Sequence, residues 1–169
     1  LCDTVGLATP DLIKYFFKKI NSEKTNCKIA VHFHNDFGMA TANTITAALN
    51  GADQLEVTLN GLGDRSGIAS MAPVVTYLQE IANFDLQIDL LNLKSISEKI
   101  VTMTNINYSP LEPIVGEYCF MHTPGIHIAG ILKNNLTFEP IDPKKINQKR
   151  EFVIGRYTGK HALQFLLKK

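Results

Sequence analysis

The chain has 169 residues, is 45% hydrophobic and 20% charged, and carries 17 basic side chains against 16 acidic ones, an ordinary globular composition. That balance offers no basic surface for nucleic acid. There is also no apolar run of about eighteen residues to suit a membrane span and no secretory leader, so no membrane association and a cytoplasmic setting are the expectations.

The first hundred residues repeat one rhythm of short apolar run, polar or glycine-bearing loop and helix, which predicts βα units around a parallel sheet. Leu1-Cys2-Asp3 reads as a strand end, so the chain reads as a piece of a larger fold. Thr9-Pro10-Asp11 starts a helix, with Leu12, Tyr15, Phe16 and Ile20 at helical spacing. KIAVHF is the second strand, HND its loop, and a helix follows from Gly38 to Asn50, closed by Gly51. QLEVTLN is the third strand, GLGDRSG a long glycine loop, and Ala69 to Ile81 the third helix.

The rhythm breaks after Phe84, which sets the expected division at residues 1–84 and 85–169. LLNLKSISEKIVTMTNI predicts an amphipathic helix, HTPGIH a loop that leads into a short helix, and REFVIGRYTGKHALQFLLKK a short strand, a turn and a basic helix. Three βα units cannot close a barrel that needs eight, so a barrel would be represented here only in part. Cys2, Cys27 and Cys119, odd in number and far apart, predict reduced and mostly buried thiols.

Side chains alternate along a strand, so His32 and His34 share one face while Val31 and Phe33 share the other. Two convergent imidazoles suit zinc, manganese, cobalt or iron and leave positions for other ligands, although such pairs also occur simply as surface or core histidines. Asp36, just beyond the pair, is expected to hold a second ring nitrogen. In GLGDRSG, Asp64 and Arg65 are expected either to lock together or to splint neighbouring strands; a plain turn is the alternative. Thr9 is either a helix cap or a carboxylate-binding hydroxyl at a helix start. His122 and His127 are candidates for acid–base work and equally for structural hydrogen bonding.

Taken together, DTVGLATP, HFHNDFGMATAN, NGLGDRSG, PIVGEYCFMHTPGIH, and FEPIDP with GRYTGKHAL resemble, in order and spacing, the isopropylmalate, homocitrate and citramalate synthases. These are metal-dependent (β/α)8 enzymes that condense acetyl-CoA with a 2-oxo acid. The resemblance implies an α/β fold, the C-terminal portion of a TIM barrel followed by a mostly helical subdomain. It implies His32 and His34 as ligands of a divalent metal (zinc, manganese, magnesium or cobalt), Thr9 on the 2-oxo acid carboxylate, and Asn60 to Gly67 along the floor of the site.

It further implies a homodimer in which His127 enters the partner's active site for acid–base chemistry. The chain departs from the family at Leu62, where some members have a metal-proximal asparagine, at Arg150, where some have a tyrosine, and at Thr123-Pro124 in the histidine loop. A 3-hydroxyacyl-CoA lyase of the same superfamily and a non-catalytic regulatory half-barrel are the alternatives.

Overall fold

The computed structural model describes residues 1–23, 26–156 and 158–159, which fall into two compact units, Leu1–Ile88 and Asp89–Lys169. The basic helix expected near the C-terminal end lies outside the described residues.

In the first unit, β1 (Cys2–Asp3), β2 (Ala30–Phe33) and β3 (Gln54–Glu56) form a parallel sheet in sequence order. The helices α1 (Pro10–Ser22), α2 (Ala40–Leu49) and α3 (Met71–Glu80) alternate with the strands, as the sequence rhythm predicts. Thr9 starts α1: its Oγ1 accepts from the Leu12 amide at 3.3 Å, and Pro10 occupies the first turn, where its missing N–H costs nothing. Ile13 and Phe17, four apart and therefore on one face, are the buried pair of that helix.

The core gathers Ile13 and Phe17 with Val31 and Phe33 from β2 and with Ala40, Ala47 and Ala48 from α2. The short alanine side chains let α2 lie close to the strands. Because Val31 and Phe33 are committed to this core, the alternation of the strand turns His32 and His34 to its other face.

The strands are shorter than the apolar runs suggest. β3 stops at Glu56 and the chain turns through a 3-10 segment at Leu59–Gly61, where Asn60 takes a left-handed φ of 57°. Asparagine tolerates that region better than most residues.

The second unit contains α4 (Leu93–Thr104), α5 (Gly125–Lys133) and a parallel pair of two-residue strands, β4 (Met121–His122) and β5 (Glu151–Phe152). The expected HTPGIH loop is therefore corrected: His122 ends a strand, Pro124 is the N-cap of α5, and His127 lies in the first turn of that helix. Pro124 itself is extended, with a ψ of 133°, so the helix begins at Gly125.

Glu139 is 2% exposed, and its carboxylate accepts from Arg150 Nε at 2.7 Å and lies 3.1 Å from His122 Nε2. That hydrogen bond, more than the opposing cost of burial, raises the Arg150 guanidinium further above its usual value. Arg150→Met would remove the guanidinium partner of this buried carboxylate. Since Arg150 is itself 29% exposed, we expect a loss of about 2 kcal/mol, below the 3–5 kcal/mol typical of fully buried pairs. Urea unfolding of the complete protein measures this, and an unchanged midpoint would show the pair to be energetically idle.

The thiols also depart from expectation. Cys2 and Cys27 are exposed and only Cys119 is partly buried, its Sγ donating to the Glu112 carbonyl at 3.0 Å. Burial pushes the Cys119 thiol pKa up. Cys2 belongs to the histidine face of the sheet, opposite the core, because it pairs in register with His32. Among the described residues, no helix is long and apolar enough to cross a membrane.

Candidate active site

At the carboxyl end of β2, the His32 and His34 rings lie 4.8 Å apart, edge to face. Each ring has one nitrogen engaged by the protein. His32 Nδ1 lies 2.8 Å from Glu56 Oε2 on β3, and His34 Nδ1 lies 3.2 Å from the Asp3 carbonyl oxygen on β1. In both rings Nδ1–H is the natural donor to these acceptors, which leaves Nε2 with its lone pair available. A carboxylate or carbonyl behind an imidazole fixes its tautomer and orientation and makes the free nitrogen a better ligand.

The tautomer-fixing groups are therefore Glu56 and the Asp3 carbonyl, and not Asp36. Register explains the first: His32 pairs with Glu56, and paired residues of parallel strands face the same side. Register also brings in Cys2, the partner of His32 on β1. One ligand atom from each of Cys2, His32 and His34 lies within 4.8 Å of the others. The residues present fit a divalent cation: two imidazoles, each oriented by a hydrogen bond, converge on one face of the sheet, with the Cys2 thiol nearby.

Asp36 serves a different purpose. Arg65 donates from Nε to Asp36 Oδ1 at 2.8 Å and from a terminal nitrogen to Oδ2 at 2.9 Å, and that same nitrogen reaches the Thr4 carbonyl at 2.7 Å. The guanidinium thus ties together the loops after β1 and β2 and the glycine loop. Its hydrogen bonds hold the Asp36 carboxyl below the usual range, against a smaller opposing effect of desolvation. Of the two expectations for Arg65, the splint describes the geometry, with Asp36 and not Asp64 as the partner. Arg65 keeps a left-handed φ of 54° that the bidentate pair helps to secure. Asp64 contributes through its backbone, accepting the Gly67 amide at 2.8 Å.

Two glycines make this closeness possible. A Cβ at Gly6 would sit 2.8 Å from Asp36 Oδ2, and a Cβ at Gly67 would sit 1.7 Å from the Gly61 carbonyl oxygen. Gly38 also has a positive φ, but a Cβ there meets nothing within 4 Å. Gly38→Ala should cost about 1 kcal/mol for the backbone alone, and Gly67→Ala at least about 1 kcal/mol more, because its loop must open. Equal denaturation midpoints for the two variants would contradict that packing.

The remaining candidates lie nearby or on the second unit. Thr9 is exposed at the start of α1, in the loop that follows β1. The Asp3 carboxylate fixes that loop by accepting the Leu7 and Ala8 amides at 3.1 and 2.8 Å. Buried Asn43 donates to the Ala8 carbonyl at 2.7 Å. Asn60 and Asp64 belong to the turn and loop after β3. His127 stacks on Phe138 with ring centroids 4.1 Å apart, in the second unit.

Sequence reasoning missed Glu56, Cys2, Asp3 and Asn43. A signal for the first two existed: if three strands run parallel, CD, HFH and QLE align side by side, and the residues in register with His32, Cys2 and Glu56, share the histidine face.

Residues 1–100 match the HMGL-like family model, and residues 114–169 match the homocitrate synthase post-HMGL domain-like model. The (R)-citramalate synthase CimA of Methanocaldococcus jannaschii is 42% identical over 167 residues, which is 99% of this chain and 34% of that protein. The 2-isopropylmalate synthase of the same organism is 41% identical over 166 residues, 98% of this chain and 32% of that one.

Among solved structures, an HMG-CoA lyase of Bacillus subtilis superposes with a TM-score of 0.58 at 24% identity, covering 68% of this chain and 40% of the lyase. The fold is therefore α/β, part of a TIM barrel with helical content. The chain spans about a third of the length of these two curated relatives.

Proposed function

The chain belongs to the HMGL-like family, and from that premise we propose that it is part of a metal-dependent acyltransferase condensing acetyl-CoA with a 2-oxo acid. The observation that carries this reading is the pair of imidazoles with both Nδ1 atoms held and both Nε2 atoms left for a ligand. The names of the two archaeal relatives direct it to synthesis and away from 3-hydroxyacyl-CoA cleavage.

His32 and His34 would hold the divalent cation, which when bound supplies Lewis acidity toward the keto group of the 2-oxo acid. Thr9 binds the substrate carboxylate: its hydroxyl hydrogen is free to donate while its oxygen caps α1, and the positive helix end favours an anion there. His127 of the partner subunit provides acid–base function, so we propose a homodimer with shared sites.

In the reaction, a base takes a proton from the acetyl methyl group and that carbon bonds to the keto carbon, whose oxygen becomes a hydroxyl. Water then cleaves the thioester and frees CoA. Arg65 and Asp36 touch no reacting atom in this scheme; they brace the loops beside His34, with Asn60 and Asp64 shaping the glycine loop.

The test is product identification with the complete protein. Mass spectrometry should find a 2-hydroxy acid carrying the added acetyl carbons. Cleavage of 3-hydroxyacyl-CoA substrates with no condensation product would instead establish the lyase alternative.

A further inference from the structure

We propose that Phe138 is a positioning residue for the reaction: its ring is the platform that holds the His127 imidazole in the orientation from which it exchanges protons. The proposal rests on the reading of His127 as the acid–base group and deepens it. The two rings are stacked, with centroids 4.1 Å apart and planes 22° from parallel. Such a stack covers one face of the imidazole and leaves its nitrogen-bearing edge open. Among the described residues, no hydrogen bond reaches either ring nitrogen of His127, whereas His122 Nε2 is held by Glu139. The stack therefore does for His127 what a hydrogen bond does for His122.

Both sides of the stack are built to keep Phe138 in place. Gly130 follows His127 by three residues on α5, which puts the two on one face of the helix. A Cβ at Gly130 would sit 2.6 Å from Phe138 Cε2, so the glycine leaves the room that the ring needs. Glycine inside a helix is less favourable than alanine, and the ring supplies the reason for it here. From the other side, the Phe138 amide donates to the Asn135 carbonyl at 3.3 Å, and the next residue, Glu139, is clamped by Arg150 and His122. Phe138 is nevertheless 38% exposed, so these restraints do not serve a place in the core.

Proton transfer requires a nitrogen within hydrogen-bond reach of the reacting group, and a displacement of about 1 Å is enough to slow it. An imidazole free to turn about its two side-chain bonds spends less time in that position. Phe138 touches no reacting atom and acts through His127.

The experiment measures steady-state kinetics of the complete protein. Phe138→Leu should lower turnover about three- to tenfold, the range set by an aromatic pair, with metal content and the KM for the 2-oxo acid unchanged. Phe138→Tyr keeps the ring and should restore turnover. Gly130→Ala keeps Phe138 but displaces it, and should slow turnover to a similar degree even though alanine suits the helix better. The decisive comparison adds Phe138→Leu to His127→Ala: with no imidazole left to hold, the residual rate should change by less than about twofold.

An equal fold loss in both backgrounds would show that Phe138 serves the fold and not His127, and would overturn the proposal, as would unchanged turnover in Phe138→Leu. Unchanged turnover in His127→Ala would instead overturn the acid–base reading itself, a different and recognisable failure. Should Phe138→Leu not fold, Gly130→Ala with and without His127→Ala makes the same comparison, and an equal loss in both refutes the platform.

Discussion

His32→Ala and His34→Ala, made separately in the complete protein, are each expected to lose bound metal and at least about a hundredfold in turnover. Each substitution removes one of two imidazoles that the fold orients by a dedicated hydrogen bond, Glu56 behind His32 and the Asp3 carbonyl behind His34. Neither ring contributes to the apolar core, which is made by Val31 and Phe33 on the opposite face of β2, so folding should survive.

The Glu56 hydrogen bond supplies a graded comparison. Glu56→Gln keeps a hydrogen-bonding group but removes the charge behind His32, and metal affinity should fall by about tenfold, less than after loss of the ring itself. Metal content from elemental analysis, read beside activity, is the check. Full metal occupancy in His32→Ala with unchanged turnover would show that the pair is not the centre.

His127→Ala should lower turnover by about 10²–10⁴ while leaving metal content intact, the magnitude expected for a positioned acid–base group. The separation of readouts matters, because His32 and His127 belong to different compact units of the chain. If His127 serves the site of a partner subunit, mixing the two inactive variants His32→Ala and His127→Ala must restore activity. A heterodimer assembles one site with both intact histidines and one site lacking both. Random mixing puts about half of the dimers in that form, so recovery of roughly a quarter of the unaltered activity is the expected ceiling. Purely additive residual activity from two such mixtures, after confirmed subunit exchange, would show that His127 acts within its own chain or not at all.

The alternation rule made the site's nucleus legible: with Val31 and Phe33 apolar, His32 and His34 had to share the other face. The βα rhythm was legible for the same reason, and Thr9-Pro10 marked the start of α1 correctly because cap chemistry is local. What could not be read depends on contacts distant in sequence. Asp36 was assigned to its neighbouring histidines, yet its partner is Arg65, 29 residues away. Glu56 and Cys2 join the histidines only through strand register, which a single strand does not encode.

The HTPGIH segment looked like a loop because β4 is two residues long. Its pairing partner, Glu151–Phe152, lies far along the chain. The expectation of mostly buried thiols failed at Cys2 and Cys27: Cys2 faces the histidine side, away from the core, and Cys27 lies just before β2 begins.

The most direct test follows free CoA thiol from acetyl-CoA in the complete protein with its native metal. Pyruvate, 2-oxoisovalerate, 2-oxoglutarate and oxaloacetate would be offered in turn, each with and without a chelator. The account predicts thiol release that depends on one of these acids, stops with the chelator and returns when divalent metal is restored. Release that the chelator leaves untouched, or none with any of the four acids in a metal-replete protein, would contradict it.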